Sequence, residues 1–203
     1  MKKLLIATEN PGKFGEIVKG FQPLINKGLK VFSLKELKIK NRVKETGKTF
    51  KENSFLKAKF YSNLTNLPTI ADDGGLIIPY LNNGPGVLSR RWPGYTADDD
   101  ELIDYCLLHL RGVNGADRTA YLVVNLCFFD PKTKKRFHQE EKIKGYIAQK
   151  PSVKRIKGYP YRALFIVDKY NKYYDELTSK EHERINHRLK AVAELTKKIK
   201  DLL

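Results

Sequence analysis

Residues 3–21, KLLIATENPGKFGEIVKGF, hold the pattern that decides the fold class. The apolar run at 3–8 is typical of a buried strand, and Asn10-Pro11-Gly12 forms the loop that ends it. From Lys13 to Phe21, apolar residues recur at the spacing of one helix face. A strand, a polar loop and a helix in succession predict an α/β fold, with a helix N-terminus that can hold an anion.

The rest of the chain continues this alternation of strands and helices. Thr49 with Glu52, and the acidic residues from Asp98, are N-cap patterns, and Ser179 is the expected cap of the last helix. We predict a turn at 72–75. The predicted strands lie at 29–32, 69–71, 76–81, 119–129, 136–148 and 163–167, and the predicted helices at 13–21, 45–64, 98–110 and 179–203. Hairpins together with crossovers indicate a mixed sheet in a single domain of residues 1–203.

The composition excludes several classes of protein. The 203 residues are 41% hydrophobic and include 10 Phe and 11 Tyr, which excludes a disordered chain. No apolar run approaches the roughly 18–20 residues of a membrane span, and the apolar part of the N-terminus is too short for a signal peptide. Cys106 and Cys127 lie in apolar segments and are expected to be buried free thiols. We therefore expect a cytoplasmic protein without a membrane partner.

The formal net charge of +16 comes from 39 basic and 23 acidic residues that are spread over the whole chain. Most of the basic residues are Lys, which is a strongly hydrated point charge, whereas Arg is favoured where bases and phosphates are recognised by paired hydrogen bonds. The excess has three interpretations: a solvated surface, attraction of a polyanionic small ligand, or nucleic-acid binding. We favour the first two.

The first polar segment that suits a ligand follows the first strand, where open α/β sheets bind their ligands. Thr8, Asn10 and Lys13 place a hydroxyl, an amide and an ammonium at the strand-to-helix loop. Beside free backbone N–H groups, this set suits a triphosphate. Asn-Pro-Gly is also a common turn, so the segment has a purely structural interpretation as well.

Carboxylates form the second candidate group. Asp72 and Asp73 are adjacent at a strand end, which is costly unless a cation, a proton or hydrogen-bond donors stabilise them. Hard oxygen ligands of this kind suit Mg²⁺, although Asp-Asp-Gly-Gly is equally compatible with a plain hairpin turn. Glu45 lies just before a helix, where a carboxylate can also simply complement the helix dipole.

The second half of the chain offers less specific candidates. His187 and Arg188 lie in the last predicted helix after His182, and each can be structural or functional. Tyr159 and Tyr161 lie in a turn with Gly and Pro and suit either base stacking or ordinary loop packing. The sequence has no Walker-type loop, dinucleotide fingerprint, catalytic Ser/His/Asp order or zinc-ligand spacing.

The order of these motifs is more specific than any one of them. Between residues 8 and 92 the chain carries, in this order, Thr-x-Asn-x-x-Lys, Glu-Thr-Gly-x-Thr-Phe-x-Glu-Asn, Ala-Asp-Asp-x-Gly-Leu, and Gly-Pro-Gly-Val with Ser-x-Arg-Trp. Together they closely resemble the inosine triphosphate pyrophosphatase family, the Ham1-like enzymes that act on non-standard purine nucleotides. The resemblance spans residues 3–195 and is most specific in the first half.

The resemblance implies a fold, a reaction and a partner. The fold is a two-lobed α/β structure around a long mixed sheet, with the nucleotide in the cleft between the lobes, and the protein is usually a homodimer. The reaction converts a nucleoside triphosphate and water to the monophosphate and pyrophosphate with Mg²⁺. ITP, dITP and XTP are the preferred substrates.

The resemblance also assigns roles to residues. Asp73 would accept the proton of the attacking water and would bind the metal together with Glu45, with Asp72 in support. Arg188 would donate to the 6-oxo group of the base. The residues implied in catalysis are Asp73 and Lys13, and those implied in substrate binding are Thr8, Asn10, Lys13, Asp72, Gly74, Tyr159, Tyr161, Arg162, His182, His187 and Arg188.

Four positions depart from the family pattern. Gly74 stands where the family has Ser, and Asn186 stands where it has Ser before the His-Arg pair. Arg162 stands where the family has an acidic residue, and His182 where it has Lys. The metal and triphosphate end keeps the pattern, while the base end is altered. We therefore expect an active pyrophosphatase in which Arg162 changes base selection.

Two other functions remain compatible with the sequence. Hydrolysis of a different nucleotide on the same scaffold is favoured by the altered base end. Nucleic-acid binding without catalysis is favoured by the net charge, but it would not require Glu45 and Asp73, because carboxylates without a metal repel a phosphate backbone. We favour the enzyme, with a small-molecule nucleotide and no nucleic acid as its partner.

Overall fold

The structure is a computed structural model that describes residues 2–203. Its strands are β1 (Lys3–Ala7), β2 (Lys30–Ser33), β3 (Thr69–Ile78), β4 (Gly84–Pro85), β5 (Thr119–Phe129), β6 (Arg136–Ile147), β7 (Phe165–Val167) and β8 (Lys172–Tyr173). Its α-helices are α1 (Pro11–Ile25), α2 (Phe50–Thr65), α3 (Asp99–His109), α4 (Ser179–Ile185) and α5 (His187–Ile199). Short 3₁₀ turns lie at Pro79–Leu81, Gly86–Leu88, Gly115–Arg118, Pro160–Ala163 and Tyr174–Glu176.

The strands form one eight-stranded sheet with the order β2-β1-β3-β5-β6-β7-β8, and β4 pairs with β3. β1 runs parallel to β2 and to β3, and helices α1 and α2 make the intervening connections. The pairs β3–β4, β6–β7 and β7–β8 are antiparallel. The prediction of an α/β fold with a mixed sheet is confirmed.

The chain divides into two compact units. Unit 1 comprises the described residues up to Asp73, together with Val124–Glu141 and His187–Leu203. Unit 2 comprises Gly74–Val123 and Lys142–Asn186. Strands β3, β5 and β6 each contribute residues to both units, so the division falls within strands rather than in a linker.

In unit 1, apolar side chains of α1 and α5 pack together over the β1 strand. Ile17 and Phe21 are fully buried in one cluster with Val192 and Leu195, as the apolar face predicted for the first helix requires. The two helices approach closely at Gly20, where an added Cβ would lie 2.5 Å from Val192 Cγ1. The loop before α1 and the start of α5 are therefore supported by the same hydrophobic core.

Unit 2 has a core of its own, in which α3 packs against the 3₁₀ turn Pro160–Ala163 and strand β7. Leu102 and Phe165 are fully buried there. Asp98 caps α3 through a complete capping box with Glu101, because each side chain accepts a hydrogen bond from the other residue's backbone N–H. The cap predicted from the acidic cluster is confirmed.

The prediction of a turn at 72–75 is wrong. These residues lie inside β3, which continues from Thr69 to Ile78. Gly75 is required by packing, since an added Cβ would lie 2.0 Å from Ser89 Oγ, and this hydroxyl accepts a hydrogen bond from Leu76 N at 3.1 Å. The glycines that suggested a turn therefore allow a neighbouring segment to approach the strand.

The single helix predicted at 179–203 is two helices. Thr178 rather than Ser179 is the N-cap of α4, and it forms a capping box with Glu181. Asn186 leaves the helical conformation with φ −56° and ψ 106°, and α5 begins at the next residue, His187. Asn186 is fully buried, so the break lies in the interior rather than at an exposed hinge.

Cys106 and Cys127 are buried free thiols, as expected. Burial raises the pKa of both to about 12, so neither is a reactive thiolate near neutral pH. Between residues 2 and 203 no helix combines the length and the apolar character that a membrane crossing needs.

Candidate active site

The loop between β1 and α1 holds the first group of predicted site residues, in unit 1. Asn10 is the N-cap of α1, and its Oδ1 accepts a hydrogen bond from Lys13 N at 3.1 Å. Asn10 N in turn donates to Thr8 Oγ1 at 3.3 Å. Both side chains therefore shape the turn itself, and their contacts with a phosphate stay a prediction.

Asp72 is a buried carboxylate that two cations of unit 1 hold in place. Its Oδ2 lies 3.0 Å from Lys13 Nζ and 3.3 Å from Arg188 Nη2. Arg188 also contacts Glu16, so one charged network joins β3, α1 and α5. Burial would raise the pKa of Asp72, but the charges of Lys13 and Arg188 outweigh it and hold that pKa well below its ordinary value. Asp72 is therefore ionised and positions both cations.

Lys57 of α2 lies between the two carboxylates that were assigned to a metal. Its Nζ is 2.9 Å from Glu45 Oε1 and 3.4 Å from Asp73 Oδ1. Burial lowers the pKa of Lys57, but Asp73, Asp72 and Glu45 more than compensate and raise it above its ordinary value. The ammonium is therefore charged, and the two carboxylates converge on one cation.

The same geometry fits a divalent metal ion with few protein ligands. Since Glu45 and Asp73 both reach a single ammonium, both can reach a common metal. Asp73 Oδ2 is buried without a hydrogen-bond partner among residues 2–203, and burial raises the pKa of Asp73 against the opposing charge of Lys57. The described residues contain no cluster of three or more His, Cys, Asp or Glu that could hold a metal. Mg²⁺ commonly takes only one or two carboxylates and completes its shell with phosphates and water, so this pair fits it.

Asn53 and Gly47 shape the segment that carries Glu45. Asn53 Oδ1 accepts a hydrogen bond from Gly47 N at 2.8 Å, and a Cβ added at Gly47 would lie 2.6 Å from Glu52 Cβ. Thr49 caps α2 by accepting from Glu52 N at 3.1 Å, which confirms the predicted cap. The Glu52 side chain accepts a hydrogen bond from the backbone N–H of Lys48, one residue before the N-cap Thr49. The reciprocal bond of the capping box is therefore displaced by one residue.

In unit 2, predicted base-end residues form an aromatic and cationic stack. Arg162 Cζ lies 3.7 Å from the ring centroid of Tyr159 and 4.6 Å from that of Tyr174. The hydroxyl of Tyr174 lies 3.1 Å from His182 Nε2, and the two rings meet edge to face. Arg162 is only 7% exposed, so the charge reversal predicted at this position lies inside the fold.

Tyr161 and Gly74 of unit 2 are packed against other protein groups. Tyr161 is buried, its hydroxyl donates to Ser89 O at 2.6 Å, and its ring meets Trp92 at an edge. Burial raises the pKa of Tyr161, so the phenol stays protonated. Gly74 is a half-buried position of β3. The substrate contacts assigned to both residues stay predictions.

His187 and Arg188 are buried at the start of α5 in unit 1. The Arg188 guanidinium donates hydrogen bonds to the carboxylates of Asp72 and Glu16. Contact of either residue with a base stays a prediction.

Three residues tied to these groups were given no role by the sequence. Lys57 has no part in the motifs named above, and Glu16 lies one helical turn after Lys13, which is the spacing that signals a shared face. Tyr174 comes 12 residues after Arg162 on a separate 3₁₀ turn, and no local pattern indicates that contact. A surface cavity of about 900 Å³ in unit 2, lined in part by Tyr105, Leu108 and Arg111, includes none of the predicted site residues.

Comparison with known proteins decides the family. A model of the Ham1 family matches residues 4–198. The chain belongs to the Ham1 family. The resemblance inferred from the order of the motifs is thereby confirmed.

Relatives of this Ham1-family chain match it over almost its whole length. The dITP/XTP pyrophosphatase of Bacillus subtilis is 38% identical over 197 residues, which cover 97% of this chain and 96% of the relative. The dITP/XTP pyrophosphatase of Listeria innocua is 34% identical over 203 residues, with 100% and 97% covered. A Ham1 protein structure from Coxiella burnetii has a TM-score of 0.86 at 29% identity and covers 99% of this chain and 100% of that one.

Proposed function

We propose that this Ham1-family chain is a nucleoside triphosphate pyrophosphatase that converts ITP, dITP and XTP to the monophosphate and pyrophosphate with Mg²⁺. The observation that carries the proposal is the convergence of Glu45 and Asp73 on one cation, 2.9 and 3.4 Å from Lys57 Nζ. It is supported by full-length relatives that are named dITP/XTP pyrophosphatases.

Unit 1 supplies the cations that a triphosphate requires. Lys13 lies in the first turn of α1, where backbone N–H groups and the helix dipole favour an anion, and its side chain is 22% exposed. In this account Lys13 neutralises phosphate charge, while Thr8 and Asn10 orient the chain of phosphates. The ion pair with Asp72 fixes the Lys13 side chain before substrate binds, so less conformational entropy is lost on binding.

Asp73 is the proposed general base. Burial raises its pKa, which makes the carboxylate a stronger proton acceptor, and its Oδ2 has no other hydrogen bond within residues 2–203. Oδ2 takes a proton from water as the water oxygen bonds to the α-phosphorus, and the bond to the α–β bridging oxygen breaks to release pyrophosphate. Mg²⁺ held by Glu45 and Asp73 would supply charge neutralisation on the phosphates and acidify the water.

Selection of the base is proposed to rest on hydrogen-bond donors of Arg188 and His187. A 6-oxo group accepts hydrogen bonds from such donors, whereas the 6-amino group of adenine would leave them unpaired, which is a strong basis for rejection. The burial of both residues increases that penalty.

A different nucleotide preference on the same scaffold is the second candidate. One observation favours it: Arg162 lies against Tyr159, an aromatic ring that the family resemblance places among the substrate-binding residues. We also propose a cytoplasmic homodimer that acts without nucleic acid or membrane. Light scattering should then give twice the 23.4 kDa of the chain, and the monomer mass would refute the dimer.

Two variants test the assignment of the carboxylates. Asp73→Asn should lower kcat for ITP by about 10²–10⁴ with an unchanged circular dichroism spectrum, because the proton acceptor is lost. Glu45→Gln should raise the Mg²⁺ concentration needed for half-maximal rate. Asp168→Asn, which removes an exposed partner of Lys144, is the matched control. A near-normal rate for Asp73→Asn would remove that residue from catalysis.

A further inference from the structure

The guanidinium of Arg162 is held between two tyrosine rings. Its Cζ lies 3.7 Å from the centroid of Tyr159, which is van der Waals contact with one face of that ring, and 4.6 Å from the centroid of Tyr174. A planar guanidinium stacks on such faces, whereas an ammonium does not. Since Arg162 is 7% exposed, its position is set by packing rather than by solvent.

The backbone around the stack is also fixed. Arg162 N donates to Tyr159 O at 3.1 Å within the turn, and Gly158 N donates to Asp99 Oδ2 at 2.6 Å. Gly158 has φ +86°, a conformation that favours glycine. On the far side of the stack, the Tyr174 hydroxyl contacts His182 Nε2 at 3.1 Å. Both ends of the stack are therefore anchored in unit 2.

A buried carboxylate interacts electrostatically with the Arg162 guanidinium. Asp175 follows Tyr174 in the chain, is 3% exposed, and has no hydrogen-bond partner of good geometry for either oxygen among residues 2–203. Burial raises its pKa to about 6, and Arg162 is the main opposing influence. The family pattern has an acidic residue at position 162, whereas here that position is a cation that contacts the Tyr159 ring.

We propose that Arg162 is a positioning residue that covers one face of Tyr159 and fixes the ring, so that a purine base stacks on the opposite face. This inference rests on the proposed function, and it assigns Arg162 an action through Tyr159 rather than contact with the base. Stacking on an aromatic ring contributes to affinity for any base, so the effect belongs in KM more than in kcat.

A double-mutant cycle for ITP hydrolysis tests the inference. Tyr159→Leu and Arg162→Met should each raise KM by about tenfold and change kcat by less than about twofold. In the Tyr159→Leu background, Arg162→Met should have no further effect, because its action passes through the missing ring. Arg162→Lys should not restore KM, since it keeps the charge and loses the planar group.

Controls separate positioning from general stability. Arg155→Met removes an exposed Arg of unit 2 and should leave KM unchanged. If Arg162→Met melts at a lower temperature than the wild type, Arg162→Leu, which also lacks a planar group, replaces it in the cycle. Additive effects in the cycle, or rescue by Arg162→Lys, would overturn the inference while the proposed function stands. Absence of pyrophosphate release from every nucleotide by the wild type would overturn both.

Discussion

Single side chains in unit 1 depend on one another for their charge states. Lys57 lies within 3.4 Å of two carboxylates, and a third, Asp72, also raises the pKa of its ammonium. Asp72 in turn is ionised because Lys13 and Arg188 outweigh the effect of its burial. Removal of one cation therefore leaves buried negative charges unpaired, which costs more than the pair contributes when it is intact.

Lys57→Met should destabilise the metal-free protein by roughly 3–5 kcal/mol, because Glu45 and Asp73 lose their shared cation. Mg²⁺ should restore part of that loss, since it can take the place between the two carboxylates. Urea unfolding with and without Mg²⁺ measures both effects. Lys51→Met, on an exposed position of the same helix, is the control. Equal unfolding curves for Lys57→Met and the wild type would contradict the account.

Asp175 should make the protein less stable as pH rises through the acidic range. Burial raises its pKa to about 6 in the folded state, so the native state holds the proton more tightly than the unfolded chain. Its contribution is therefore most favourable below pH about 4, and on the order of 3 kcal/mol is lost by pH about 7. Asp175→Asn cannot ionise.

The gain in unfolding free energy of Asp175→Asn over the wild type should accordingly be larger at pH about 7 than at pH about 4. Urea titrations at the two pH values give this difference directly. A gain that is the same at both pH values would show that Asp175 does not titrate in this range.

At the scale of elements, the contact between α1 and α5 allows a matched test on one helix. Gly20→Ala places a Cβ 2.5 Å from the stiff side chain of Val192 and should cost roughly 1–3 kcal/mol of stability. Gly15→Ala meets nothing within 4 Å and should add up to about 1 kcal/mol through helix propensity. Thermal unfolding of the two variants should shift in opposite directions. A shift in the same direction would contradict the packing.

The accuracy of sequence-based prediction also varies by element. β5 was predicted at its observed residues 119–129, and α3 to within one residue at each end, because apolar patterning and an acidic cap are local signals. The break at Asn186 gives no such signal, since the apolar spacing of the C-terminal helix continues through it. Gly75 misled the prediction because close packing and a tight turn both require glycine.

The candidate site shows the same difference between local sequence signals and tertiary contacts. The family resemblance, which rests on the order of the motifs, predicts that Glu45 and Asp73 belong to one site. In the structure both lie beside Lys57. The stack of Arg162 on Tyr174 depends on tertiary packing between two separate turns, so the sequence indicated an altered base end without showing what had replaced it.

At the scale of the whole molecule, the net charge of +16 attracts polyanions without choosing among them. Selection has to come from the site: carboxylates inside β3 around a cation, and buried donors at the start of α5. A protein that only bound nucleic acid would have no use for Glu45 and Asp73, which would repel a phosphate backbone. We therefore predict catalysis with a defined product.

The most direct test of this account is the product released from a panel of nucleotides: ITP, dITP, XTP and the standard ribo- and deoxyribonucleoside triphosphates, each with Mg²⁺. Pyrophosphate and orthophosphate should be measured separately, because only cleavage between the α- and β-phosphates releases pyrophosphate directly. We predict pyrophosphate release that is concentrated on ITP, dITP and XTP. Release of orthophosphate, or no hydrolysis of any nucleotide, would contradict the proposed function.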